Sequence, residues 1–338
     1  MNIKIIGSGS AGNHMAFAMK NIAKKITMTD ISKNALKRSK KNIYLKRYKD
    51  WDKKITQIVE NKDIRKNSTY DFIIISSPPK THYRSLLKNI NKSNFFLIEK
   101  PVCEPNLQTI KKMEFLTKKY PKKKFLCGYN HRLFPSTKKL ISLIRKHKNQ
   151  FDFLEVSFKE NTDGFMKAHN WYSDLSQSYL SKTSDGGGAL SEHSHALNLA
   201  QLIVNEKKSF KVINKNIKFN IIKKRKYDSV AEILIRHDKK IIKINQNFET
   251  KPVEKNIKVK GKTFYIELTY NHNKNNDKLI YFNGKSKKNY YFKKKRSDDF
   301  KYEALFIKKI FNKKRDDTLD ISNGLTTMNL VAKFLNAN

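Results

Sequence analysis

Acidic residues are the scarce side of this sequence: 30 aspartates and glutamates stand against 72 lysines and arginines in 338 residues, a formal charge of +42. An excess of that size favours polyanions or anionic membrane surfaces. The lysines, however, are not gathered into one tail or arm. They run through helices, strands and loops beside many asparagines and isoleucines, residues that AT-rich codons favour, so a compositional bias explains the charge better than a dedicated polyanion site. The densest runs, Lys122 to Lys124, Lys223 to Lys226 and Lys293 to Arg296, read as solvated edges. Cysteine is scarcer still. Cys103 and Cys127 form neither a C-x-x-C nor a metal spacing, so both read as reduced and packed, and neither a thiol mechanism nor a metal site is expected. Long apolar runs are missing, none nearing the ~18 residues of a membrane span. The amino terminus enters a strand without a signal-peptide pattern, and the cytoplasm is the expected location. With 38% hydrophobic residues the chain has enough for a substantial core, in two domains or one large α/β domain.

Glycine is also sparse, at 11 residues, which makes its placement informative. Gly7, Gly9 and Gly12 form a G-x-G-x-x-G straight after the apolar run Ile3 to Ile6 and ahead of a helical pattern. In a dinucleotide-binding turn Gly7 permits the tight bend, Gly9 lets the backbone approach a pyrophosphate, and Gly12 lets the helix pack on the strand. The N–H groups of Ser10, Ala11 and Gly12 supply the anion site. A second strand, Ile26 to Thr29, ends in Asp30, where a carboxylate accepts the ribose 2′-hydroxyl, favouring NAD over NADP. Lys33 and Arg38 lie close enough to leave some NADP tolerance. A glycine-rich turn of an unrelated α/β protein is the plainer alternative.

Further along, Tyr70 to Ser77, Asn94 to Ile98 and Lys124 to Tyr129 read as buried parallel strands, alternating with helices such as Leu107 to Lys119. The fold class is therefore α/β, an amino-terminal doubly wound Rossmann sheet over 1–129. Ligands of such sheets lie beyond the carboxyl ends of the strands, so Ser76 to Pro79, Glu99 to Pro101 and Tyr129 to Arg132 should face the cofactor. Residues 130–338 change character. Period-two runs at Phe153 to Phe158, Lys211 to Ile222, Ala231 to Arg236, Ile241 to Phe248, Ile257 to Leu268 and Leu279 to Phe282 predict a carboxy-terminal α+β domain with a large, mostly antiparallel sheet. An insertion from Asn161 to Asn205 is rich in aromatic, hydroxyl and histidine side chains. Helices are expected at 299–311 and 321–335, the latter packing back on the first domain.

Gly7 to Gly12, Glu99-Lys100-Pro101 and Gly186-Gly187-Gly188 followed by Glu192-His193-Ser194-His195-Ala196-Leu197-Asn198 together resemble the glucose-fructose oxidoreductase / inositol dehydrogenase / MocA family over essentially the whole chain. Ser77-Pro78-Pro79-Lys80-Thr81-His82 is similar to its PP-x-x-H, and Arg132-Leu133-Phe134-Pro135 to its R-F-x-P. The resemblance implies a sugar-acting NAD oxidoreductase, with NADP possible. It puts Ser76, Ser77, Pro78, His82, Glu99 and Lys100 around the cofactor. Lys100, aimed by Pro101, would polarise the substrate hydroxyl or relay its proton. His195 would be the general base, or the acid in reduction.

Two departures stand out. The acid expected three residues after the histidine is Asn198, which can orient an imidazole but cannot stabilise imidazolium as a carboxylate does. The acid expected four residues before it falls on Ser191, with Glu192 one position out of register. Catalysis is then slower, rearranged around Glu192, or lost, leaving a nucleotide-binding regulatory protein as the first alternative and a polyanion-binding protein as the second. His169 to Asp174 and Ser178 to Ser181 look like a subgroup that accompanies surface-polysaccharide biosynthesis, which implies a sugar or nucleotide-sugar substrate. Arg132, Trp171, Tyr179 and His193 are the candidate substrate contacts, Trp171 and Tyr179 equally readable as core anchors. No specific nucleic acid is implied. A homo-oligomer through the carboxy-terminal sheet is expected.

Overall fold

The computed structural model describes residues 1–60, 69–204, 210–273, 275–295 and 297–336. Arg296 of the third basic run and Asn205 at the end of the insertion lie outside the described residues. The chain divides into two compact units, one of Met1–Asn130 with Asp299–Asn329, the other of His131–Asp298 with Leu330–Asn338.

In the first unit, β1 (Asn2–Ile6), β2 (Lys25–Asp30), β3 (Ile55–Val59), β4 (Phe72–Ile75), β5 (Phe95–Ile98) and β6 (Lys124–Cys127) make a parallel sheet in the order β3-β2-β1-β4-β5-β6. Helices cover a parallel sheet on both faces, so its strands must be apolar throughout. Phe72, Ile73, Ile74 and Ile75 are accordingly all inaccessible to solvent. The α-helices between these strands are α1 (Ser10–Met19), α2 (Lys33–Arg38), α3 (Leu45–Tyr48), α4 (His82–Asn89) and α5 (Leu107–Lys119). After Asp30 the chain forms α2, a π-helical stretch over Ser39–Tyr44 and then α3. Asn106 starts α5 by accepting from the N–H groups of Gln108 and Thr109. Strand order reverses between β1 and β4, which opens the crevice where such sheets take ligands.

The second unit begins with α6 (Pro135–Lys146), β7 (Phe153–Lys159), α7 (Thr162–Ala168), α8 (Gly188–Glu192) and α9 (His195–Val204). Strands β8 (Lys211–Ile222), β9 (Arg225–His237), β10 (Lys240–Asn247), β11 (Glu254–Lys260), β12 (Tyr265–Thr269), β13 (Asn276–Phe282) and β14 (Lys287–Lys293) come next. With β7 they form a sheet in the order β14-β13-β12-β11-β7-β10-β9-β8, antiparallel except for β7 against β10. The single strand expected over Ile257 to Leu268 is in fact the hairpin β11–β12. Gly261 breaks it, its N–H donating back to the Phe264 carbonyl at 3.0 Å. Strand β14 went unread because its lysines mask a weak alternation around Tyr290 and Tyr291; it is a sheet edge, where lysines are at home. Two helices close the chain, α10 (Asp298–Phe311) and α11 (Ile321–Asn336). Within the first unit the Cys127 N–H donates to the Leu319 carbonyl at 2.8 Å, so the segment before α11 borders β6.

The turn from β1 to α1 is the tightest place in the first unit. Gly7 holds φ +100°, a left-handed conformation that side chains resist, and a Cβ there would lie 2.6 Å from the Ser77 nitrogen. A Cβ on Gly12 would lie 2.1 Å from the Gly7 carbonyl oxygen. Gly12→Ala should therefore cost about 3 kcal/mol or more in unfolding free energy, measured by denaturant titration. A loss near zero would contradict the packing described.

Candidate functional site

The carboxyl ends of β1, β2, β4 and β5 and the turns that follow them carry the residues that the sequence assigned to the cofactor, except His82 at the start of α4. Asp30 fastens this edge. Its Oδ2 accepts from the Ser8 backbone N–H at 2.9 Å and from the Ser8 hydroxyl at 2.7 Å, while Oδ1 accepts from the Ser32 N–H at 3.0 Å. A carboxylate oxygen has two lone pairs, so these bonds leave acceptor capacity for a ribose hydroxyl while tying β2 to the glycine turn. Ser76 donates its hydroxyl to the Ile6 carbonyl at 3.1 Å and lies 3.2 Å from that of Gly7, joining β4 to the same turn. Ser77 pairs with the Thr81 hydroxyl at 2.7 Å across Pro78. Around Gly9 the situation is the reverse of Gly7 and Gly12: a Cβ there would meet nothing within 4 Å. The backbone is bare on the side where a phosphate would approach, ahead of the first turn of α1, whose N–H groups have no partners within the helix.

Residues that the sequence did not single out surround that helix start. Arg47 donates from Nη1 to the Ser10 hydroxyl at 2.8 Å and contacts His14 Nε2 at 3.0 Å, and His14 in turn meets the Tyr48 hydroxyl and stacks on Phe300 at 4.7 Å. No motif marks them: Arg47 and Tyr48 reach the turn from α3, and Phe300 from the carboxy-terminal helix over 298–311.

His82 lies behind the cofactor edge, fully buried. Its Nε2 is 2.6 Å from the Ser77 carbonyl and its Nδ1 3.2 Å from that of Val102. Two carbonyls would favour a doubly protonated ring, yet burial outweighs them and pushes the imidazole down to about 4. The neutral ring donates once, so the shorter contact carries the hydrogen bond, from Nε2–H to Ser77. His82 is thus a strut between the turn after β4 and the turn carrying Lys100. Glu99 is buried at the root of that second turn, and burial raises its carboxyl against the opposing charge of Lys100.

In the second unit the glycine triplet builds a different anchor. Gly188 holds φ +81°, and a Cβ there would sit 1.8 Å from Asp228 Oδ1. That closeness lets the buried Asp228 of β9 accept from the Leu190 N–H and from the Thr183 hydroxyl, both at 2.7 Å. Burial pushes the carboxyl up to about 6 against these donors. Asp228 was absent from the sequence-based candidates, because it lies in the buried run Tyr227 to Ala231, where no alternation marks an acid as inward-facing.

The anchor fixes α8, and with it the turn into α9. Glu192 is half-buried and accepts from the Tyr179 hydroxyl at 2.9 Å, whereas Ser191, in the register expected for an acid, is fully buried. The His195 ring is 4.2 Å from that of His131. Asn198 has a strong partner other than the imidazole: Arg132 donates from Nε to its Oδ1 at 2.6 Å and from Nη2 to its backbone carbonyl at 3.2 Å. Arg132 and His193, expected at the substrate, are 6% and 5% exposed. The first is turned inward on Asn198, and the second packs edge-on to Phe248 at 5.3 Å. Trp171 is half-buried, 4.9 Å from His169 and 5.7 Å from Tyr172, on the aromatic flank of the insertion. Among the described residues no group of His, Cys, Asp and Glu could hold a metal, and no helix is long and apolar enough to cross a membrane.

Residues 1–129 match the model of the oxidoreductase family with an NAD-binding Rossmann fold, Gfo/Idh/MocA. No curated protein matches the chain. Solved structures share the fold along the whole chain. An aldose-aldose oxidoreductase from Caulobacter crescentus complexed with glycerol superposes with a TM-score of 0.78 at 13% identity, covering 100% of this chain and 97% of the other. A 3-ketoreductase from Actinomadura kijaniata in complex with NADP and TDP-benzene gives 0.76 at 10% identity, covering 98% and 96%. A levoglucosan dehydrogenase in complex with NADH and L-sorbose gives 0.75 at 13% identity, covering 99% and 95%.

The strut role of His82 has a pH signature. An unfolded imidazole titrates near 6.5 and the buried one near 4, so the stability held by the neutral ring is complete above about 6.5 and lost as pH falls to about 4, by roughly 3 kcal/mol. Unfolding free energies of wild type and His82→Gln, measured across that window, should differ by an amount that shrinks as pH falls. A difference that stays constant from pH 7 to pH 4 would contradict the assignment.

Proposed function

We propose that the chain is an NAD(P)-dependent oxidoreductase of the glucose-fructose oxidoreductase / inositol dehydrogenase / MocA family, acting between a secondary hydroxyl and a ketone of a sugar or nucleotide-sugar. The single observation that carries it is the bare backbone at Gly9, set between two glycines that the fold requires, at the start of α1 in the domain that matches the family. The N–H groups of Ser10, Ala11 and Gly12 would hold the pyrophosphate, Asp30 the adenosine ribose, and Ser76 to Pro78 with Glu99 and Lys100 the nicotinamide side. Bound there, the nicotinamide supplies the hydride acceptor or donor. Lys100 holds the substrate oxygen by its ammonium group, and His195 takes or returns the hydroxyl proton. Glu192, presented with Tyr179, is the second group able to carry that proton. NADH is the preferred cofactor, because the Asp30 carboxylate accepts a hydroxyl and repels a 2′-phosphate.

A sugar substrate is supported by the aromatic flank of Phe165, His169, Trp171 and Tyr172, whose faces suit the C–H side of a ring. It is also supported by the sugar-acting names of the similar structures. Surface-polysaccharide biosynthesis in the cytoplasm is the setting that fits the motif subgroup. The exposed apolar residues of β8, Ile213 and Ile221, support assembly of copies through the large sheet. The Arg132–Asn198 lock favours a second reading, a regulatory protein that binds the nucleotide without turnover.

The test is NADH oxidation with a panel of keto-sugars and nucleotide-linked keto-sugars, with NADPH run in parallel. Turnover should occur, faster with NADH, and Lys100→Met and His195→Ala should each lower kcat roughly 10²- to 10⁴-fold with cofactor binding nearly unchanged. Their double variant should be scarcely worse than the more damaging single one. Full activity in folded His195→Ala would move the proton role to Glu192 or to Lys100 alone. Tight NADH binding without turnover on any sugar would favour the regulatory reading.

A further inference from the structure

Helix α10 brings a carboxyl group to the base of the Lys100 turn, and nothing in the proposed reaction uses it. Glu303 is fully buried, and among the described residues no donor reaches either of its carboxylate oxygens. Glu99 is also buried, and no donor among them reaches its Oε1. Ring contacts fix how α10 lies. Phe311 at its end is 5.6 Å from Phe95 at the start of β5, and Phe300 at its beginning stacks on His14 of α1. From Phe311 back to Glu303 the helix climbs about 12 Å, and from Phe95 to Glu99 the strand advances about 13 Å. The two carboxyls therefore reach the same level, on the edge that carries Lys100.

Such a pair cannot hold two full charges. Burial raises both groups, and the Glu99 carboxylate raises Glu303 further. Among the described residues the charged neighbours acting on them are Lys100, which favours ionisation of Glu99, and Asp299, one turn earlier on α10, which opposes ionisation of Glu303. One cation beside two carboxyls offsets one negative charge. The proton then stays with Glu303, which has the acidic neighbour and not the basic one.

We propose that Glu303 and Glu99 share one proton, and that the neutral Glu303 is a positioning residue: it donates to the Glu99 carboxylate and so steadies the turn that presents Lys100. The effect on Lys100 rests on the function proposed above, but the shared proton does not. The full chain without cofactor, observed by infrared spectroscopy in H₂O and D₂O, should show the carbonyl stretch of a buried protonated carboxyl at pH 7. Glu303→Gln, which keeps shape and neutrality, should remove that band, and the wild-type minus variant spectrum separates it from Asp228. In the sugar assay Glu303→Gln should stay within about threefold of wild type, because the amide still donates to Glu99. Glu303→Leu, which cannot donate, should lose about tenfold or more in kcat with the KM for NADH little changed. Absence of the band at pH 7, its persistence in Glu303→Gln, or wild-type kcat in Glu303→Leu would overturn the proposal. A band lost in Glu303→Gln together with no turnover on any sugar would uphold the shared proton and overturn the oxidoreductase function instead.

Discussion

The contact between Gly7 and Gly12 is the constraint on which the carboxyl edge of the parallel sheet depends. With no Cβ on either residue, α1 starts almost against the carbonyl that ends β1, and the end of β4 closes in behind Gly7 at Ser76 and Ser77. Three strand ends are then locked around one helix start by short polar bonds, from Asp30 to Ser8 and from Ser76 to Ile6. Each of those side chains would be replaceable on a surface. Here they face the same few ångströms of backbone, so the position of one determines the rest.

The second unit solves a similar problem with different chemistry. Gly188 clears room for the Asp228 carboxylate, which takes over the N–H of Leu190 at the start of α8. A buried carboxylate is costly unless donors surround it, and Asp228 has them. The aromatic, histidine and acid positions from Tyr179 to His195 are arranged around that anchor, which is why a strand residue distant in sequence governs the glycine-led helix.

Much of this was legible in the sequence because it is written in backbone requirements. Gly7, Gly9, Gly12, Asp30 and the Ser76 to Lys100 turns fall at strand ends, where residue type and position jointly carry the signal. Strand Lys211–Ile222 and helix Leu107–Lys119 were readable from their periodicity. Side-chain partners were not readable. The motifs that single out Arg132 and His82 carry no sign of the bonds these side chains make to Asn198 and to the Ser77 carbonyl, and Asp228, Arg47 and Glu303 left no local pattern at all. Such pairings depend on which elements come together, and a motif of a dozen residues does not contain that information.

The central claim, that the first unit holds a dinucleotide pyrophosphate over Gly9, is tested most directly by calorimetric titration of NADH into wild type and Gly9→Val. Gly9 has an extended conformation that valine adopts readily, with open space around its Cβ position, so the variant should fold with wild-type stability. Its branched side chain would occupy the approach of the phosphate. NADH should bind wild type and bind Gly9→Val at least about tenfold more weakly, a loss of about 1.4 kcal/mol. Equal affinity in the two folded proteins would contradict the account.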